Sequence, residues 1–187
     1  MNALQFVFLG PLVGALSRAG TGWLSDRVGG GRVTFWVFAG MIVSVGLVIV
    51  SLQALSFWGF FAGFMALFFF TGVGNSSTFQ MIPVIMRKEV ARLEPQLSPE
   101  DRRRQSDRES AAIIAFTSAI GAYGGFFIPK AYGSSIALTG SALGALWAFL
   151  GFYVLCLAVT WVFYTRPGGL LHDIERGRAP AGAATPA

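Results

Sequence analysis

The sequence predicts an all-α fold, a polytopic bundle of five membrane-crossing helices, and three observations predict it. Apolar residues are 54% of the 187-residue chain and charged residues only 12%, about half the charged share of an ordinary soluble domain. Mean hydropathy is +0.62. The charge is also segregated, since residues 33–86, 111–129 and 131–165 contain no Asp, Glu, Lys or Arg. A soluble domain of this size has no core that could hide such runs, whereas a bilayer accepts them as spans of about 20 residues each.

In chain order the spans read 4–24, 33–52, 57–86, 111–129 and 141–165. The first carries Gly10, Gly14, Arg18 and Gly22 at successive i+4 positions, a stripe of small residues around one cation. The second is a plain apolar run. The third is too long for one straight crossing. It must tilt, extend into the cytosol, or be interrupted near Gly72-Val73-Gly74-Asn75, where glycine favours irregular backbone. Between the third and fourth spans, loop 87–110 holds a helix-start signal: Ser98 as N-cap, Pro99 at the first helical position, then Glu100 and Asp101 near the positive helix end. Residues 1–166 thus form the membrane unit, and the Pro/Ala/Gly-rich 167–187 read as a disordered tail.

Orientation follows from the basic residues. Arg27 and Arg32 follow the first span; Arg87, Lys88, Arg92, Arg102, Arg103, Arg104 and Arg108 follow the third; Arg166, Arg176 and Arg178 follow the fifth. The even-numbered connections hold only Lys130. That places the basic side and the C-terminus in the cytoplasm and the N-terminus outside, in a cell inner (plasma) membrane. An odd number of spans starting outside reads as the tail of a longer protein.

Rare residues exclude much chemistry. One cysteine, Cys156, and one histidine, His172 in the tail, leave no disulfide framework, thiolate metal cluster or Ser-His relay, and no acidic pair lies in a span. No enzyme activity, metal or cofactor is expected. The net charge of +5 is accounted for by the membrane-flanking arginines, without nucleic acid as a partner.

Arg18 is the most informative residue. An arginine near the middle of a span costs about 2.5–3.5 kcal/mol on insertion scales. Either it snorkels to the cytosolic surface, or it points into the bundle along the glycine stripe, since small residues mark helix contacts or cavity walls. In the second case it needs a partner, and no carboxylate of this chain lies at its depth. An anionic substrate meets that need, because guanidinium offers a planar donor fork.

Two further segments stand out. Gly74-Asn75-Ser76-Ser77-Thr78-Phe79-Gln80 places an amide and hydroxyl cluster in the third span, which must line a polar cavity or bind a neighbouring helix. Gly121 and Gly125 form a GxxxG pair in the fourth, which favours close helix packing.

The turn Gly22-Trp-Leu-Ser-Asp26-Arg27-Val-Gly29-Gly-Gly-Arg32 resembles the loop motif of the major facilitator superfamily, with an Asp-Arg charge lock that a transporter makes and breaks between states. Gly-Asn-Ser-Ser-Thr-Phe-Gln-Met-Ile-Pro and Ile-Gly-Ala-Tyr-Gly-Gly-Phe-Phe-Ile-Pro, together with Gly10-Pro11-Leu-Val-Gly14-Ala-Leu-Ser-Arg18, are similar to segments of the nitrate/nitrite porter family within that superfamily. The resemblance implies a partial major facilitator fold, family helices eight to twelve. It implies that Arg18 binds nitrate or nitrite, that Asn75 and Phe79 adjoin the substrate, and that Gly121, Gly124 and Gly125 form a signature helix packed beside it. Gly22, Asp26, Arg27, Gly29 and Arg32 would be the conformational switch. The implied partners are nitrate/nitrite, the lipid bilayer and an N-terminal half, family helices one to seven, without which transport is not expected. Two alternatives remain: a porter of another anion in the same superfamily, and a non-transporting membrane scaffold.

Overall fold

A computed structural model describes residues 6–166, apart from the side chains of Ser25 and Asp26. Within that range the chain is helical: α1 (Leu9–Gly20), α2 (Gly22–Val28), α3 (Gly30–Gln53), α4 (Phe57–Leu93), α5 (Pro99–Thr139) and α6 (Leu143–Thr160), the last continued by a π-helical turn, Trp161–Thr165. The predicted tail, and the start of the first predicted span, lie outside the described residues.

α3 is the centre of the packing. It follows Gly29, whose φ of 96° is a backbone conformation that side chains with a Cβ rarely adopt. One face, Val33, Val37 and Met41, packs with Val73 of α4. Further along, Val45, Val48 and Ile49 pack with Leu146 of α6. In a bilayer such contacts are held by close van der Waals packing rather than by exclusion of water.

The third predicted span resolves as extension, not interruption. α4 is one helix of 37 residues, about 55 Å at 1.5 Å per residue, and it runs unbroken through Gly72–Asn75. The physical reason is the solvent: a helix opened inside hydrocarbon leaves backbone N–H and C=O groups without partners, a larger penalty than glycine's preference for loops. α4 starts at Ser56, whose hydroxyl accepts from the Gly59 N–H, and passes Met86 to carry Arg87, Lys88 and Arg92 beyond the apolar stretch.

α5 begins where the start signal placed it. Ser98 accepts from the Asp101 N–H at 3.1 Å, Pro99 opens the helix, and Arg104 donates to Glu100 at 2.8 Å. The lead-in and the fourth span are therefore one helix. It also outruns the predicted end at 129, passing through Pro129 and ending at Gly140, which adopts the left-handed conformation with φ 71°. In its N-terminal third α5 buries Ser106 and Ser110, but none of its apolar residues is buried.

Two expectations for the first span need correction. The helix breaks at Thr21, inside the predicted span 4–24. The supposed glycine-rich turn Gly22–Arg32 is also mostly helical: α2 occupies Gly22–Val28, and only Gly29 separates it from α3. Among the described residues four helices are long and apolar enough to cross a bilayer: α3, α4, α5, and α6 with its extension. The chain is a multi-pass membrane protein.

Candidate functional site

The site is built where α1 and α4 touch. A Cβ added to Gly72 would lie 2.0 Å from the Ser17 hydroxyl and 2.3 Å from the Gly14 carbonyl, so the two backbones are in contact there. The rest of the stripe faces α4 too: a Cβ on Gly10 would enter the Phe68 ring, and one on Gly22 would come 2.5 Å from the Gln80 amide nitrogen. The glycines of the stripe are thus a helix-packing face, and Arg18 stands among them.

Arg18 is held over the ring of Phe79, its Cζ 5.4 Å from the ring centroid, a cation–π arrangement. It forms no ion pair among the described residues. Guanidinium and ring share a cavity of about 560 Å³, whose other polar lining is Thr34 of α3, Thr71, Asn75 and Thr78 of α4, and Thr117 and Ser118 of α5. Among the described residues no carboxylate or imidazole lines it. One fixed cation among hydroxyls and an amide, with a flat aromatic face beneath, is a surface suited to a small planar anion.

The structure brings together Arg18, Asn75, Phe79 and Gly121, all on the cavity wall. Gly124 and Gly125 do not line it. Nor, among the described residues, does anything pack against the GxxxG pair: apart from their own helix backbone, no atom lies within 4 Å of a Cβ built on Gly121 or Gly125, and Gly124 meets only Ile128 of its own helix. Among the switch residues, Arg27 stacks on Trp23 at 5.2 Å and Arg32 is exposed; the Asp26 side chain is not among those described.

The polar cluster of α4 divides by helical face. Asn75 and Thr78 look into the cavity. Ser77, 1% exposed, meets the Thr34 hydroxyl of α3 at 3.0 Å. Ser76 and Gln80 face α2 at Gly22, and the Gln80 carbonyl oxygen is buried without a hydrogen-bond partner among the described residues. Both sequence readings of the cluster, cavity lining and helix binding, therefore hold for different members. Sequence reasoning did not single out Thr34, Thr71, Thr117 or Ser118 as lining. Thr117 and Ser118 were accessible in principle, lying four and three residues before Gly121 and so on its helical face.

A larger hollow, about 940 Å³, runs along α5 from Asp101 to Ala111. Its lining mixes Arg104 and Arg108 with Asp101, Asp107 and Glu109 on a mostly exposed helix face, which is the pattern of a solvated surface rather than of a site for one kind of charge.

No family model matches the chain. Individual proteins do. It is 46% identical over 172 residues to the nitrate/nitrite transporter NarU of Salmonella typhimurium strain LT2, a match covering 89% of this chain and 37% of that protein. The NarU of Escherichia coli K12 is 43% identical with the same coverage. The probable nitrate/nitrite antiporter NarK2 of Thermus thermophilus is 32% identical, covering 89% of this chain and 34% of that protein. The chain is similar to nitrate/nitrite transporters over 89% of its own length. It spans a little over a third of the length of these porters, and the matched stretch is long enough to hold most of the cavity wall described above.

Proposed function

We propose that this chain is the C-terminal part of a nitrate and/or nitrite transporter of the major facilitator superfamily, which moves its substrate across the cell inner membrane by alternating access. In this reading α1 and α2 together make the fifth crossing, entering from outside, and the C-terminus is cytoplasmic. The five crossings are family helices eight to twelve. The N-terminal half, helices one to seven, completes the site and rocks against this part around a central anion. The chain alone does not transport.

The observation that carries the reading is Arg18 poised over Phe79 in a polar cavity without a carboxylate. A planar anion pairs with the Arg18 charge, accepts from the guanidinium fork and lies against the ring. Asn75 adds amide donors. The signature glycines Gly121, Gly124 and Gly125 keep one face of α5 smooth for the partner half. Proton coupling needs a group that titrates within the membrane. None lines the described cavity, so a proton relay, where uptake is proton-coupled, belongs to the N-terminal half.

Arg18→Lys in the complete transporter tests the assignment. Lysine keeps the charge and loses the fork, so expression is expected to be intact and nitrate uptake abolished. Retained uptake removes Arg18 from the site. If Arg18 proves essential but nitrate fails to compete with the transported anion, the substrate is another anion of the superfamily.

A further inference from the structure

Beside the break at Thr21, a second hollow of about 270 Å³ lies between α2, α3 and α4. It shares Val37 with the Arg18 cavity but none of that cavity's polar residues. Its wall is apolar: Leu24 and Val28 of α2, Val33 and Trp36 of α3, Phe69 and Val73 of α4. Among the described residues Thr21 is the one polar member, and its hydroxyl is already engaged, donating to the Ser17 carbonyl at 2.6 Å. A wall with no polar group to offer accepts hydrocarbon. The hollow opens outward, since Trp36 is 70% exposed and Val28 and Phe69 are exposed too. A helix, about 10–12 Å across with its side chains, does not enter a hollow of this volume. A stretch of one acyl chain does.

The rim is charged. Arg32 stands four residues before Trp36, on the same face of α3 and one turn nearer the basic side of the membrane. Arg27, in the last turn of α2, adjoins Val28 and stacks on exposed Trp23, its Cζ 5.2 Å from the ring centroid. Both arginines are exposed, and neither forms an ion pair among the described residues. Indole rings favour the boundary between hydrocarbon and headgroups. An apolar slot, indoles at its mouth and two cations above them follow the order of chain, boundary and phosphate in a phospholipid.

We propose that this hollow binds an anionic phospholipid, one acyl chain lying between α2, α3 and α4 and the phosphate resting on Arg27 and Arg32. Guanidinium meets phosphate through paired N–H donors, and cations beside a membrane span favour anionic headgroups. The inference goes beyond the transport reading and does not depend on which anion is carried. Arg27 and Arg32 also fall in the segment that resembles the conformational switch, so lipid retention is the readout rather than uptake.

The test is native mass spectrometry of the complete transporter in detergent, incubated with dioleoyl phosphatidylglycerol or dioleoyl phosphatidylcholine. These lipids share their chains and differ in headgroup charge. The parent is expected to retain one phosphatidylglycerol with a Kd on the order of tenfold below that for phosphatidylcholine. Arg27→Gln with Arg32→Gln should erase the difference, whereas Arg27→Lys with Arg32→Lys should keep most of it, because the charge remains. Arg103→Gln with Arg108→Gln, on exposed positions of α5, should leave it unchanged. Trp36→Ala should weaken both lipids alike, since it removes wall but no charge. A parent without headgroup preference overturns the proposal. So does a preference that survives the Arg27/Arg32 glutamine pair or disappears with the α5 pair, either of which puts the headgroup elsewhere. Retention untouched by Trp36→Ala would take the acyl chain out of the slot, and a transporter that retains neither lipid would mean that the N-terminal half covers it; both overturn the proposal. Should the Arg27/Arg32 glutamine pair not yield monodisperse protein, the lysine pair, Trp36→Ala and the α5 pair still decide.

Discussion

At the scale of single residues, the fold turns on a glycine and the proposed function on an arginine. Gly72 permits α1 and α4 to meet, and Ser17, next to Arg18, is the side chain a Cβ there would strike. Gly72→Ala forces the helices apart or distorts both, and overpacking of this kind costs about 1–3 kcal/mol. A lowered Tm in detergent is expected, together with weakened anion binding in the complete transporter, because Arg18 moves with α1. A variant as stable as the parent would show that the contact relaxes freely. Arg18 was legible in the sequence because a cation inside an apolar span is rare and expensive, so its presence demands an explanation. Phe79 was legible only through resemblance, as one of 18 phenylalanines. Ser118 was legible only as a residue sharing the helical face of Gly121. Whether a serine in a helix donates to its own backbone or to a cavity depends on its rotamer, and no sequence pattern carries that.

At the scale of elements, residue-pattern reasoning located the helices and misjudged their ends. It treated Gly72–Asn75 as a possible break and Gly22–Arg32 as a turn, since both are glycine-rich. Both are largely helical, because inside or beside hydrocarbon the backbone has no water to bond to instead. The GxxxG pair shows the converse. Its spacing was read as favouring close helix packing, but spacing does not name the partner, and among the described residues nothing packs against Gly121 or Gly125. Gly125→Leu is therefore expected to leave the thermal stability of this chain in detergent unchanged, while abolishing nitrate uptake by the complete transporter, where the N-terminal half must approach α5. A fall in the chain's own Tm would mean that α5 packs here more tightly than the structure shows. Wild-type flux would mean that nothing needs to approach that face closely.

At the scale of the whole molecule, the packing is lopsided in a way the proposed mechanism explains. α3 is gripped by α4 and α6, whereas α5 exposes Phe116, Tyr123, Phe126 and Phe127 at 59–68%. Arg18 is exposed as well, although an arginine at that depth is stable only against a partner, water or an anion. Lipid would cover the phenylalanines; it would not satisfy the guanidinium. In alternating access the second covering body is the other half of the porter, which opens the cavity to one side of the membrane while closing it to the other. One half holds its part of the site permanently open to whatever lies beside it, so it has no second state to switch to. This chain reconstituted alone in vesicles is accordingly expected to give nitrate flux no higher than empty vesicles. Co-reconstitution with a separately made N-terminal half should restore flux that is sensitive to Arg18→Lys. Flux from the chain alone, equally sensitive to Arg18→Lys, would require a second copy to play the part of the missing half, and the asymmetric two-half mechanism would have to be abandoned.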